Sequence, residues 1–444
     1  MPSNKQQRKQ HHRLCGRLPV VTLVLVTLLA ASGCSQEAPE PIQEITQSAG
    51  YLPRLKMSKN ADLTSMLDEL SAARALPEDL RRQPIPREAN CGPSLEALIP
   101  VDARKPLFDE TIAFFPQESL TFSTVDWERA LRFLEKHDSS RLSARQVIAG
   151  KDCDLRIEPT QALTADLSIV YAMHAIARME AISARLKLDE GDLTAGVKCV
   201  EAMFAIASCL DQQLHISCRL QAVHIRSDAL LVMQEISQHE NVTSDVLVAA
   251  RHAIDRAIAH WPDEREAWQS DRALGLICYE YAQAGDLESV LSPDELQAMD
   301  AETQSAVYRF RNEAADADAV SYLQAMQEVI DECDKPLFRR KAIALQLPDA
   351  EQFPADMNVG QFSLAEILIA SIPQGQALFA LDRARIEAWQ IGLARALSEP
   401  APAFRNSPLS GQPYTVIDRD ETIAVWGVGA TPRNWERPVV IRKP

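Results

Sequence analysis

Residues 164–193, TADLSIVYAMHAIARMEAISARLKLDEGDL, decide the fold. Ala172, Ile176, Met179, Ile182 and Leu186 recur at helical spacing, so Thr164 to Leu188 reads as one long helix. Its first half is apolar on nearly every side, which marks a buried hub and not a surface helix. Glu190-Gly191-Asp192 then reads as a turn between helices. Gly191 can take the left-handed closing conformation, and Asp192 can cap the next helix.

Working outward, that next helix runs to Leu210 with Val200, Met203, Phe204 and Ala207 inward. A third is expected from about Gln213 to Ile236, and a fourth from Ser244 to Ala259, capped by Thr243 or Ser244. Gly285-Asp286-Leu287 repeats the Gly191-Asp192-Leu193 turn 94 residues later, a hint of stacked helical hairpins without a 34-residue repeat register. Helices continue from about Glu302 to Cys333 and from Ser363 to Leu397, where Pro373 should kink or break the run. Toward the N-terminus, Leu63, Met66, Leu67 and Leu70 give one amphipathic helix. Trp127, Ala130, Leu131 and Leu134 give another, with Ser123, Thr124 and Asp126 as start signals. Between them Pro84, Pro86, Pro93, Pro100 and Pro106 are expected to enforce extended or looping chain. After Pro400 the texture changes: Tyr414–Ile417, Ile423–Val428 and Val439–Ile441 are β-rich. The expected fold is mainly α, stacked hairpins as an α-solenoid-like or irregular bundle, with a small C-terminal β-hairpin or three-stranded element.

Composition agrees. Fifteen glycines in 444 residues is about 3% against a typical ~7%, and aromatics are 6%, which disfavours sheet-rich folds. A formal charge of −16 argues against a nucleic-acid partner, whose phosphates need a basic surface.

The first residues read as an address. Lys5, Arg8, Lys9, Arg13 and Arg17 form a cationic stretch without acids, followed by an apolar run from Leu18 to Ala31. That run is shorter than the ~20 residues of a membrane-spanning helix and fits a signal peptide. It ends in Ala31-Ser32-Gly33-Cys34, which resembles the lipobox of bacterial lipoproteins and implies acylation of Cys34. An uncleaved anchor or an ordinary secretory signal is the competing reading. Ser35 in place of Asp favours outer-membrane sorting, facing the periplasm. Loss of residues 1–33 removes five cations and no acid, leaving a body at −21. Residues 34–60, rich in Glu, Pro, Gln and Ser, read as a tether. Residues 61–398 read as the helical body and 399–444 as a β element packed on it.

Ala184-Arg185-Leu186-Lys187-Leu188-Asp189-Glu190-Gly191-Asp192-Leu193, within residues 164–237, resembles a helical segment of uncharacterised envelope proteins from planctomycete-type bacteria. Pro408–Tyr414 and Val425–Gly429 resemble the tail of the same proteins. They also resemble the C-terminal β-element of type II secretion pseudopilins, where a helix leads into a small sheet. The resemblance covers about a third of the chain and implies no catalytic residue. The stretch matching the pseudopilin calcium loop, Ala430–Glu436, carries a single acid, Glu436.

An exported chain meets an oxidising compartment, so cysteines come first. Cys15 leaves with the signal and Cys34 takes the lipid. Cys91, Cys153, Cys199, Cys209, Cys218, Cys278 and Cys333 remain. Cys91 and Cys153 lie in loop-like contexts and are the preferred bridge. Cys209 and Cys218 flank the turn near Gln213, where a cross-hairpin bridge is geometrically allowed; Cys199 and Cys278 read as small buried apolar residues. His215 and Cys218 could share a helix face, but His224 is half a turn out of phase. With no Cys-x-x-Cys and no His-Glu-x-x-His, neither metal nor cofactor is expected. His174 reads as a satisfied core histidine, and Met173, Met179 and Met203 as core. Glu313, Asp316 and Asp318 read as a solvated helix face. No nucleophile elbow, phosphate loop or dinucleotide turn is present. The functional expectation is a lipid-anchored envelope scaffold or binding module for a protein or polymer. The alternatives are a peptidoglycan-acting hydrolase and a component of a secretion apparatus.

Overall fold

The computed structural model describes residues 51–80, 85–112, 114, 125–157, 165–259, 261–287, 290–291, 297, 299, 301–342, 362–400, 402–404, 406–427 and 438–444. It is mostly helical, with a three-stranded antiparallel sheet near the C-terminus. In chain order the helices are α1 (Ala61–Ala72), α2 (Gly92–Leu98), α3 (Val101–Ile112), α4 (Trp127–Ile148), α5 (Ser168–Asp189), α6 (Leu193–Asp211) and α7 (Ile216–Gln238). There follow α8 (Ser244–Ile258), α9 (Glu264–Ala284), α10 (Ala301–Arg309), α11 (Glu313–Glu332), α12 (Leu364–Ile369) and α13 (Ile372–Ala396). The strands are β1 (Thr415–Asp418), β2 (Thr422–Trp426) and β3 (Val439–Arg442), paired in that order.

The chain divides into two compact units. The larger comprises residues 71–274, 327–343 and 375–444. Its hub is α5, of whose 22 residues 16 are buried. Helices α3, α4, α6 and α7 all pack on α5, and α8 closes over α6. By length and composition α6 could cross a membrane, but most of it is buried among these helices. The α5–α6 turn closes as its sequence implies. Gly191 has φ +80°, its N–H and that of Asp192 cap the carbonyls of Leu188 and Lys187, and the Asp192 carboxylate accepts from Ala195 N at 2.9 Å. Asp126 and Thr243 cap α4 and α8 in the same way. The sheet is held to α7 through Val440: its N–H donates to Gln234 Oε1 at 3.0 Å and its carbonyl accepts from Ser237 Oγ at 3.2 Å. Ile423, Val425, Val439 and Ile441 form the buried face of the sheet.

The smaller unit comprises residues up to Leu70, Gly275–Met326 and 344–374. Buried carboxylates tie its three chain pieces together. Glu280 accepts from the backbone N–H groups of Arg54 and Leu55 at 3.0–3.1 Å. Asp318 accepts from Tyr279 Oη at 2.6 Å, Ser363 Oγ at 2.7 Å and Ala365 N at 2.8 Å. Asp316 bonds Ser58 Oγ and Gln283.

Three expectations need correction. Asp316 and Asp318 are buried, and only Glu313 of that trio faces solvent; hydroxyl and amide donors replace the water these carboxylates give up. The proline-rich stretch is not simply looping chain. It holds α2, with Pro93 in the first turn where no N–H is needed, and α3, which absorbs Pro106 inside it. Helix α7 begins at Ile216, a little later than expected, with the His215 side chain as its cap.

Candidate functional site

Two places in the larger unit gather chemistry. The first is a cluster of three thiols. Cys91 sits just before α2, Cys153 in the segment after α4, and Cys209 in the last turn of α6. Their sulfurs all lie within 4.8 Å of one another, with Cys91 and Cys209 at 3.9 Å, and none is more than 2% exposed. Backbone pairing brings the first two together: Cys91 N donates to Asp152 O at 2.9 Å, and Asp152 N to Ala89 O at 3.0 Å. Asn90 Oδ1 accepts from both Gly92 N and Asp154 N at 2.9 Å. The approach is so close that a Cβ on Gly92 would stand 2.0 Å from the Asp154 carbonyl oxygen. Two glutamines just past α6 complete the frame. Gln212 Oε1 accepts from Cys153 N at 2.8 Å and Gln213 Oε1 from Leu155 N at 3.0 Å. The Gln213 amide donates to the carbonyls of Cys153 and Cys209 at 2.9 and 2.7 Å.

The three thiols titrate apart. Bonds from the Cys153 and Cys209 thiols, with Lys151 nearby, push Cys91 well down. Cys153 is pushed up by its bonds with Cys209 and Cys91 and by burial. For Cys209 the bond with Cys153 pulls down, but the bond with Cys91 and burial outweigh it, and the thiol is raised.

The second place is an open cleft of about 430 Å³. It is lined by the half-buried Trp261, with the guanidinium of Arg226 4.9 Å from the ring centroid and that of Arg383 at 5.3 Å. Arg226 is fixed from below by Asp211 and by Asp382, whose carboxylate accepts from its Nε at 2.7 Å. Burial alone lowers the pKa of Arg226, but these two carboxylates more than reverse it. Glu264, also on the wall, is fully engaged: Arg340 grips both oxygens at 2.5 and 2.7 Å and Trp268 Nε1 donates at 2.9 Å. The cations reachable from solvent are Arg383 and Lys335, whose side chains are 37% and 47% exposed; each is paired with an acid on its own segment, Glu387 at 2.9 Å and Glu332 at 2.6 Å.

The sequence therefore named two members of the thiol cluster, Cys91 and Cys153, and placed the third, Cys209, with Cys218. The structure brings Cys209 to the other two. Cys218 is buried in the first turn of α7, where burial pushes its thiol up to about 12. His215 caps α7 through Nδ1, accepting from Ser217 N at 3.2 Å, and His224 is exposed. His174 is buried on Asp228 at 3.1 Å and on Gln221, and burial holds it down at about 4. Cys34 and its lipobox, most of the tether and the Ala430–Glu436 stretch lie outside the described residues. No local signal in the sequence marks Trp261 or Arg383, which are 122 residues apart. Compared with known proteins, the chain matches no family model, no curated protein and no solved structure.

Proposed function

We propose that this is a lipid-anchored cell-envelope protein whose body is a binding module, with the Trp261 cleft as its ligand site. The observation that carries the reading is the partly exposed indole with two guanidinium groups within 5.3 Å of its ring centroid, in a cleft of about 430 Å³, inside the size range of small-ligand sites. The exposed part of the indole suits an apolar sugar edge, and Arg383 and Lys335 suit ligand carboxylates if these replace Glu387 and Glu332. A carboxylated glycan strand of the envelope offers both. The anchoring part rests on the Ala31-Ser32-Gly33-Cys34 motif and the polar chain after it. Glu264 argues for binding over hydrolysis, since its two oxygens are already taken by Arg340 and Trp268.

The test is co-sedimentation of the purified full-length chain with isolated peptidoglycan sacculi. Wild type is expected to sediment, and Trp261→Ala and Arg383→Ala to lose at least about tenfold in affinity while remaining folded at the assay temperature. Equal binding by wild type and both variants contradicts the cleft assignment. Release of soluble sugar fragments favours the hydrolase.

A further inference from the structure

We propose that Cys91, Cys153 and Cys209 form a three-coordinate thiolate site for a soft monovalent metal ion, with copper(I) as the natural occupant. The assignment is independent of the cleft.

The argument begins with number and spacing. A disulfide needs two cysteines, and a third in the same contact shell has no part in it. Three sulfurs around one ion is a complete ligand set. Metal–sulfur bonds of about 2.3 Å in a trigonal plane hold sulfurs roughly 4.0 Å apart, and Cys91 and Cys209 already stand at 3.9 Å. The three sulfurs converge from three separate chain segments, so only the folded state brings them together.

Ligand type selects the ion. An all-sulfur set favours soft cations such as copper(I) and zinc. Structural zinc takes four ligands, and among the described residues the cluster offers three. Copper(I) is satisfied by three.

The surrounding frame behaves as metal sites require. Asn90, Gln212 and Gln213 bond to the backbone on both sides of the ligands, fixing where each sulfur points. The bare α-hydrogen of Gly92 is what lets the Cys91 and Cys153 segments approach. The ion displaces the thiol protons to solvent, and Lys151 near Cys91 offsets part of the remaining negative charge.

The experiment uses the full-length chain purified anaerobically in detergent. Copper(I) is supplied from a chromophoric competitor, and X-ray absorption is recorded on the loaded wild type. The expected result is one tightly held ion per chain with three sulfur neighbours. Affinity should fall ~100-fold or more in Cys91→Ser, Cys153→Ser and Cys209→Ser and stay unchanged in Cys218→Ser. One equivalent of copper(I) should raise the melting point of wild type and Cys218→Ser and leave the three ligand variants unmoved. The absorption spectrum needs no variant, so a serine protein that fails to fold leaves the test intact. A two-sulfur or mixed nitrogen–sulfur spectrum overturns the proposal. So does a disulfide between any two of the three that forms in preference to copper uptake, or uptake of zinc in a four-coordinate site with copper(I) excluded.

Discussion

The two units bury carboxylates in different ways. In the larger unit, two buried acid clusters are built on arginines, while Asp228 meets His174. Glu180, 1% exposed, lies between Arg141 and Arg145, and Arg226 is shared by Asp211 and Asp382. In the smaller unit, Glu280, Asp316 and Asp318 are met mainly by hydroxyls, an amide and backbone N–H groups. The difference follows from how each unit is assembled. A stack of long helices presents side chains to side chains, because its backbone groups are consumed within the helices, and charge must neutralise charge. The smaller unit gathers three chain pieces, whose ends leave N–H groups and short polar side chains that a carboxylate can collect. One unit uses buried acids to neutralise, the other to fasten.

That contrast can be broken most severely at Glu180. Removing one member of a buried ion cluster strands the others, so Glu180→Ala is expected to cost about 3–5 kcal/mol. The loss should appear as faster amide exchange across α5 and α6. A loss under about 1 kcal/mol would mean the arginines escape to water and the cluster does not hold the hub.

Next comes His174, buried in the same hub. Folding holds its pKa at about 4 against an ordinary 6.5, chiefly through burial, with Arg178 adding to the effect and Asp228 opposing it. The unfolded chain therefore takes up a proton first as the pH falls. Stability supplied by the neutral histidine is complete above pH 6.5, is lost between 6.5 and about 4, and is constant below that. The change is roughly 3 kcal/mol. His174→Gln should flatten denaturant midpoints over that window; an unchanged slope would assign the pH dependence elsewhere. Asp318 in the smaller unit has the opposite sign. Burial raises its pKa above 3.8, so its contribution is full below 3.8 and is lost as the pH rises through the raised value.

Smaller effects sharpen the fastening half of the comparison. Glu280→Ala leaves the Arg54 and Leu55 N–H groups without their acceptor and should cost about 1–3 kcal/mol locally. Exchange should quicken in residues 52–58 while α5–α7 stay protected; global acceleration would contradict a fastening role. Asp192→Ala removes only a helix cap and should cost ~1 kcal/mol, read from the denaturant midpoint.

Local chemistry was legible and long-range pairing was not. Gly191 and Asp192 act within their own turn, and the helical run breaks around Pro373, with α12 ending at Ile369 and α13 starting at Ile372. The β-rich runs became β1, β2 and β3. Asp316 and Asp318 look like any acids on a helix, because their partners at Ser58 and Ser363 are distant in the chain. Cys209 follows the same logic. Its near neighbour in sequence is Cys218, yet the backbone pairing of residues 89–92 with 152–154 delivers Cys91 and Cys153 to it. Pro93 and Pro106 misled because a proline's effect depends on its place in the helix.

The location proposed for the protein stands on the claim that Cys34 fastens it to a membrane. Metabolic labelling with a palmitate analogue tests it most directly. Label is expected on the wild-type chain and on Cys15→Ala, and none on Cys34→Ala, which should also leave the membrane fraction. Label retained by Cys34→Ala, or absent from the wild type, contradicts it.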